Sequence, residues 1–235
     1  MTQRKLHKLS HSLKDIALRN NVASRLRKRA IVRFAEKVGF VYFGSVDQHH
    51  DDHHIIRGLT VSSSHRDNHY SVGSFDGYDV SLVDRLDTVE SLNGTYTTHN
   101  WLIFEIDLHS SADIPHIFLG AHTHKNYSYA KLFTAFPALQ PIPLGTFEKY
   151  SDEFTKRYSL FATPSHFIEV ERYFTTEITR TIAAHFWPLA IEVSEGVLYV
   201  YADNQTITTR LLETMLKNGL WLADQLDSQA RLLNF

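Results

Sequence analysis

Residues 68–83 read Asn-His-Tyr-Ser-Val-Gly-Ser-Phe-Asp-Gly-Tyr-Asp-Val-Ser-Leu-Val, and the Asp76-Gly77 pair near their centre decides how the chain is built. Asp followed by Gly tolerates the left-handed backbone of a two-residue hairpin turn, and the flanking residues alternate as strands do. Pairing outward from the turn sets Phe75 against Tyr78, Gly73 against Val80 and Ser71 against Leu82 on one face. The other face pairs Ser74 with Asp79 and Val72 with Ser81. One side can enter a core while the other stays wet, the signature of an antiparallel sheet.

The same period of two extends in both directions. Gly39 ends a helical pattern and Phe40–Val46 follows as a strand. Trp101–Leu108, Ile114–Ala121 and Tyr158–Ala162 supply further strands. Ala135–Leu144 holds Pro137, Pro141 and Pro143 and can form only an irregular or edge segment, because proline donates no ladder hydrogen bond. A subdivision of the chain is expected, if anywhere, near 135–150. A second hairpin, Leu189–Ala202, turns at Glu195-Gly196 and puts Ile191, Val193, Leu198 and Val200 on one face, with Glu192, Tyr199 and Tyr201 on the other.

Helical spacing brackets this sheet. Leu6, Leu9, Leu13 and Ile16, then Val22, Leu26, Ala30 and Phe34, form one apolar stripe over residues 3–37, continuous or broken near Asn20-Asn21. Phe167–Phe186 reads as a helix facing inward with Ile168, Tyr173 or Phe174, Ile178 and Ile182, and Pro188 stops it. A last helix over Thr206–Leu233 presents Leu211, Met215, Leu222 and Leu226, with Trp221 nearby. The expected architecture is α+β: an N-terminal basic helix, a central antiparallel sheet with hairpins, and a C-terminal helix–hairpin–helix unit packing on the sheet.

Charge divides the chain more sharply than secondary structure does. The first 38 residues carry eleven Lys and Arg against two acids, Asp15 and Glu36, whereas the remaining residues hold thirteen bases against twenty-four acids. A basic amphipathic arm over 1–38 is therefore expected on an acidic body over 39–235, and such an arm docks on its own body or seeks a polyanion. Arg25, Arg27, Lys28 and Arg29 form its densest cluster, and together with Arg33 they are the expected polyanion-binding residues. An anionic membrane surface, a nucleic acid, and a protein partner or second copy are the occupants considered; no small-molecule ligand is specified.

Composition narrows the setting. The chain has 235 residues and no cysteine, which excludes disulfides, thiolate metal sites and cysteine nucleophiles. Arg4, Lys5, Lys8, Lys14 and Arg19 interrupt any stretch a signal peptide would need, and no run approaches the ~20 apolar residues of a spanning helix. A cytoplasmic protein is expected, peripheral to a membrane at most. Fifteen histidines titrating near pH ~6.5 predict association or solubility that changes on mild acidification.

Two histidine groups invite a metal reading. His49-His50-Asp51-Asp52-His53-His54 offers imidazoles and carboxylates, but contiguous ligands rarely make a rigid site, and the run reads as a solvated loop tip with adventitious affinity for a divalent metal. His122 and His124, two apart on a strand, point to one face and could grip one ion. A cupin-like set would also need a glycine six residues earlier and a glutamate four or five later, where His116, Ser128 and Tyr129 stand. Asp79 with Asp84, and Glu105 with Asp107, read as the wet side of a sheet and not as acid–base pairs. The chain lacks GxxxxGK[ST], GxGxxG and GxSxG; Gly73-Ser74-Phe75-Asp76-Gly77 has the outline of the last with phenylalanine in the nucleophile's place. No cofactor is expected.

Ala35-x3-Gly39-Phe40-x-Tyr42, Val72-Gly73-x3-Gly77-Tyr78-x3-Leu82, Pro115-His116-Ile117-Phe118-Leu119 and Ile191-Glu192-x5-Leu198-Tyr199-Val200-Tyr201 together resemble an uncharacterised bacterial family of the candidate phyla radiation, of the Saccharibacteria type. The resemblance spans about residues 31–227 and rests on packing and turn residues, so it implies a fold and carries no catalytic residue. The function expected from the sequence is that of a non-enzymatic cytoplasmic binding or scaffold protein whose basic helix contacts an anionic membrane surface or a partner subunit. The alternatives are a histidine-liganded metal-dependent enzyme and a nucleic-acid-binding protein using the same arm.

Overall fold

A computed structural model describes residues 24–45, 64–90, 96–110, 114–122, 139–143 and 150–233. Helix α1 covers 24–38 and hands over at Gly39, whose positive φ of 80° suits glycine, to the short strand β1 (Val41–Gly44). Three long strands follow, β2 (Ser64–Phe75), β3 (Tyr78–Glu90) and β4 (Tyr96–Asp107), then β5 (Ile117–Ala121) and β6 (Gln140–Pro141). Helix α2 (Asp152–Arg157) leads into β7 (Tyr158–Ala162), a 3-10 turn at Pro164–His166, α3 (Phe167–Tyr173) and α4 (Thr176–His185). The hairpin β8 (Ala190–Ser194) and β9 (Val197–Asp203) precedes the long helix α5 (Thr209–Leu233).

The strands form one nine-stranded sheet in the order β1-β2-β3-β4-β9-β8-β5-β7-β6, with every neighbouring pair antiparallel. The α+β class and antiparallel sheet expected from the sequence are present. So is the register outward from Asp76-Gly77: Phe75 pairs with Tyr78, Gly73 with Val80 and Ser71 with Leu82. Both turn residues have positive φ, 50° and 86°, as a two-residue hairpin of this hand requires. The proline-rich segment contributes β6 at the sheet's far edge. Strands on either side of 135–150 share the sheet, because β4 pairs with β9.

Alternation gives the sheet two buried faces. Val80, Leu82, Leu102, Phe104, Ile106, Leu198 and Val200 line the face covered by α1 and α5. Phe34 of α1 meets Phe104 edge-on at 5.8 Å between ring centres. Gly219 of α5 lies so near the sheet that a Cβ there would stand 2.7 Å from Ile106 Cδ1. On the opposite face Val83, Trp101, Ile103, Phe118, Tyr199 and Tyr201 form a second cluster, and charged groups are buried beside them. Arg85 donates from Nε to Asp67 Oδ1 at 2.6 Å and from Nη2 to Asp67 Oδ2 at 2.8 Å, a two-pronged pair between directly opposed residues of β2 and β3.

Four local expectations are corrected. β2 and β3 run well past the hairpin core, so Asp84, expected on a wet side, is buried. The helix expected over Phe167–Phe186 is two helices, because the Thr175 side chain accepts from the Ile178 N–H and starts α4 afresh. Helix α2 was not anticipated, although Ser151 caps it, Asp152 and Glu153 stand in its first turn and Lys156 and Arg157 in its last. The apolar stripe over the described part of α1 is turned, since Leu26 is 61% exposed and Ile31, Phe34 and Ala35 are the fully buried residues.

Candidate functional site

Helix α1 carries the densest run of cations, and its two sides do different work. Arg27, Ile31, Phe34 and Val38 recur at four, three and four residues and so share one face. Ile31, Phe34 and Ala35 are sealed in the core, with Ala30 and Val38 packed against it. Over residues 24–38, the arm expected at 1–38 and the body expected from 39 share one core. Arg25, Lys28, Arg29 and Arg33 occupy the remaining surface and are exposed.

Arg27, fifth of the expected polyanion-binding residues, points the other way. Its guanidinium is half-buried and pairs with Asp84 of β3. Burial pushes the Asp84 pKa above the usual carboxylate range, and the opposing charge and hydrogen bond from Arg27 do not bring it back. Desolvation therefore outweighs the ion pair at this seam, and apolar contact seats the helix. At its end, Lys37 reaches Glu213 of α5 at 2.5 Å on the surface.

The positive field of α1 is felt at the neighbouring strands. His69 lies in a bulge of β2 with φ of 56°, and its Nδ1 stands 2.8 Å from the Tyr42 hydroxyl of β1. Burial lowers the His69 pKa, and Lys28 and then Arg27 lower it further. A neutral imidazole there can accept the Tyr42 proton donor, whose own pKa burial raises.

The expected metal ligands are placed differently from one another. His122 is exposed just after β5, with Nδ1 3.0 Å from the Lys156 carbonyl oxygen and Nε2 2.7 Å from Ser159 Oγ, so both ring nitrogens are engaged by the β7 region. His124 and the His49–His54 run lie outside the described residues, as do residues 1–23 with the stripe from Leu6 to Ile16. Among the described residues, no three His, Asp or Glu side chains cluster as a metal site. Of the carboxylate pairs, Asp107 is raised in pKa by partial burial and by Asp79 across the strands.

Three polar arrangements escaped the sequence reading. Glu192 is wholly buried, held by His116 Nε2 at 2.7 Å and by the Tyr201 hydroxyl, which donates at 2.6 Å. His99 stacks on Trp101 at 5.3 Å and approaches Asp203 at 3.2 Å. Asp227 of α5 accepts from the Tyr78 hydroxyl at 2.9 Å, from the Ser110 amide at 2.9 Å and from the His109 amide at 3.2 Å, tying the hairpin tip to the last helix. Only the first left a trace, the His116 and Glu192 positions within apolar strand sequence. The others join residues more than a hundred positions apart.

Among the described residues no helix is long and apolar enough to cross a membrane. No protein-family profile matches the chain, and no curated protein matches it. Among solved structures the chain is similar to the mycobacterial trehalose monomycolate transport factor A, TtfA, with a TM-score of 0.55 at 13% sequence identity, over 87% of this chain and 94% of that one. At that identity the likeness is one of fold.

Proposed function

We propose that the protein is a non-enzymatic binding or scaffold protein that rests on an anionic membrane surface through the outer face of α1. The observation that carries this reading is the split of one helix. Ile31, Phe34 and Ala35 lock it into the core, while Arg25, Lys28, Arg29 and Arg33 are displayed to solvent on the same rigid rod. Exposed Leu26, lying among these bases, adds an apolar contact that a headgroup layer can take.

Magnitudes indicate how much chain is needed. Each base near an anionic surface contributes about 1 kcal/mol, so four give roughly 4 kcal/mol, which corresponds to about millimolar affinity. Arg4, Lys5, Lys8, Lys14 and Arg19 would carry the total toward about 9 kcal/mol and micromolar binding. The first 23 residues are therefore part of the proposed contact. The fold neighbour's role as a transport factor is compatible with the reading.

A protein partner is the second reading, favoured by a different observation. β1 is one of the two edge strands of the sheet among the described residues, and its Val41 and Phe43 are 58% and 57% exposed. An apolar edge is a template for another strand.

Sedimentation of the full chain with phosphatidylcholine vesicles, with and without phosphatidylglycerol, tests the first reading over a salt series. Binding is expected only with the anionic lipid, weakening as salt rises, and at least tenfold weaker in a variant carrying R25E, K28E, R29E and R33E. Equal binding by the variant defeats the reading. Binding to DNA and RNA with no binding to vesicles would transfer the same face to a nucleic acid.

A further inference from the structure

Beside the cationic face, between the end of α1, the hairpin tip of β2–β3 and the middle of α5, lies a cavity of ≈ 550 Å³. That volume falls in the range of about 300–1,000 Å³ that holds small ligands. Its walls are apolar, built from Phe34, Val38, Phe75, Leu216, Leu220 and Trp221. The geometry points to a binding site for a single-chain anionic amphiphile, a long-chain carboxylate or its phosphate-headed equivalent, with the hydrocarbon in this groove and the charged head at its α1 end. This assignment goes beyond membrane contact and does not depend on it.

The walls are held firmly enough to be a preformed site. Phe34 is clamped edge-on between Phe104 at 5.8 Å and Phe40 at 6.2 Å. Tyr78, at the far end, is fixed by its hydrogen bond to buried Asp227 and by His109 stacked on it at 4.1 Å. Trp221 rests against Phe186 at 6.0 Å. A groove whose lining is braced by second contacts of this kind gives a ligand its apolar surface without first having to order side chains.

Charge around the mouth is arranged by end, and this selects the head. Lys37 and Lys217 stand toward the α1 end, with Glu213 between them and engaged by Lys37. Leu26, Ala30, Arg33 and Lys37 recur at four, three and four, so exposed Arg33 lies on the same flank one turn further along. Asp76 and Asp224 stand at the opposite end, beside the hairpin tip. An anionic head meets Lys217, with Arg33 on the adjoining flank, beside the mutually paired Lys37 and Glu213 at the first end, and two carboxylates at the other. A cationic head would be drawn to the hairpin end, and a neutral one to neither.

The test uses the full chain and dodecanoate below its micellar concentration, with dodecanol and dodecyltrimethylammonium as comparisons of equal chain length, followed by calorimetry and by intrinsic tryptophan fluorescence, to which Trp101, Trp187 and Trp221 contribute. Dodecanoate is expected to bind one to one, at least tenfold tighter than dodecanol. Val38→Trp, which fills the partly buried wall, should abolish binding while leaving the thermal midpoint within a few degrees. K217E, at an exposed position of α5, should weaken dodecanoate at least fivefold and spare dodecanol. Charge reversal at Arg25, Lys28 and Arg29 should leave dodecanoate binding unchanged, which separates this site from the membrane-contacting face. Equal affinity for all three amphiphiles, or retention of dodecanoate by Val38→Trp, overturns the assignment, as does the absence of saturable binding.

Discussion

Arg27 of α1 closes an ion pair with Asp84 of β3 across the seam between helix and sheet. Asp84 is buried, and its pKa is raised in spite of the guanidinium beside it, first by desolvation and further by Asp67. The pair fixes where the helix sits more than it adds to how tightly it sits, as buried ion pairs often do.

A raised folded pKa means that the folded protein holds the Asp84 proton more firmly than the unfolded chain does. The corresponding stability is fully present below the ordinary carboxylate range and is lost as pH rises through the folded value. Asp84→Asn removes that loss. Urea midpoints from pH 4 to 7 should fall more steeply for the wild type than for the variant, and parallel curves would show that Asp84 is not the group responsible.

His69 acts in the opposite direction. Its folded pKa is lowered by burial, Lys28 and Arg27, so its contribution is present above about 6.5 and is lost as pH falls through the folded value. Because φ at this position is 56°, His69→Asn is the fitting replacement, asparagine being tolerant of that backbone. Thermal midpoints at pH 7.5 and 5.5 should lie closer together in His69→Asn than in the wild type; an unchanged gap places the acid sensitivity elsewhere.

Gly73 faces Phe40 so closely that a Cβ would stand 2.4 Å from the ring's Cδ1. Phe40 is buried against Phe34 and has little room to withdraw. Gly73→Ala should cost about 1–3 kcal/mol by overpacking, read as a lower urea midpoint. Adding Phe40→Leu should recover part of that loss, and no recovery would mean that the clash is not with Phe40.

Tyr201→Phe deletes a 2.6 Å hydrogen bond to buried Glu192. Weakening a buried carboxylate's satisfaction costs about 1–3 kcal/mol, whereas Tyr96→Phe, on an exposed residue of β4, should be neutral. Equilibrium unfolding of the two variants side by side gives the comparison, and equal effects would mean that the Glu192 contact contributes nothing specific.

What could be read from the sequence was local. Asp76-Gly77 and Glu195-Gly196 set the register of two hairpins, because turn chemistry and period act within a few residues. The break at Thr175 was present in the sequence as a capping residue but was overridden by the apolar spacing from Ile168 to Ile182. The burial of Asp84 and Glu192 could not be read, since alternation says which residues share a face and not whether anything covers it. Four of the five bases picked from the charge run are on the surface, and the fifth, Arg27, is distinguished only by lying four residues before Ile31 on the inward face. The groove draws Val38, Phe75 and Leu216 from three distant segments, and no linear pattern connects them.

The pairing of β4 with β9 also sets a schedule for synthesis. About 90 residues separate Asp107 from its partner Val197, and at about 5–20 residues per second their translation takes roughly 5–18 s. Throughout that interval the strand bearing Trp101, Ile103 and Phe104 has one side without its eventual neighbour. The nascent chain is thus most vulnerable to sticking to others midway through manufacture, and anything that stalls a ribosome between those two points prolongs the exposure.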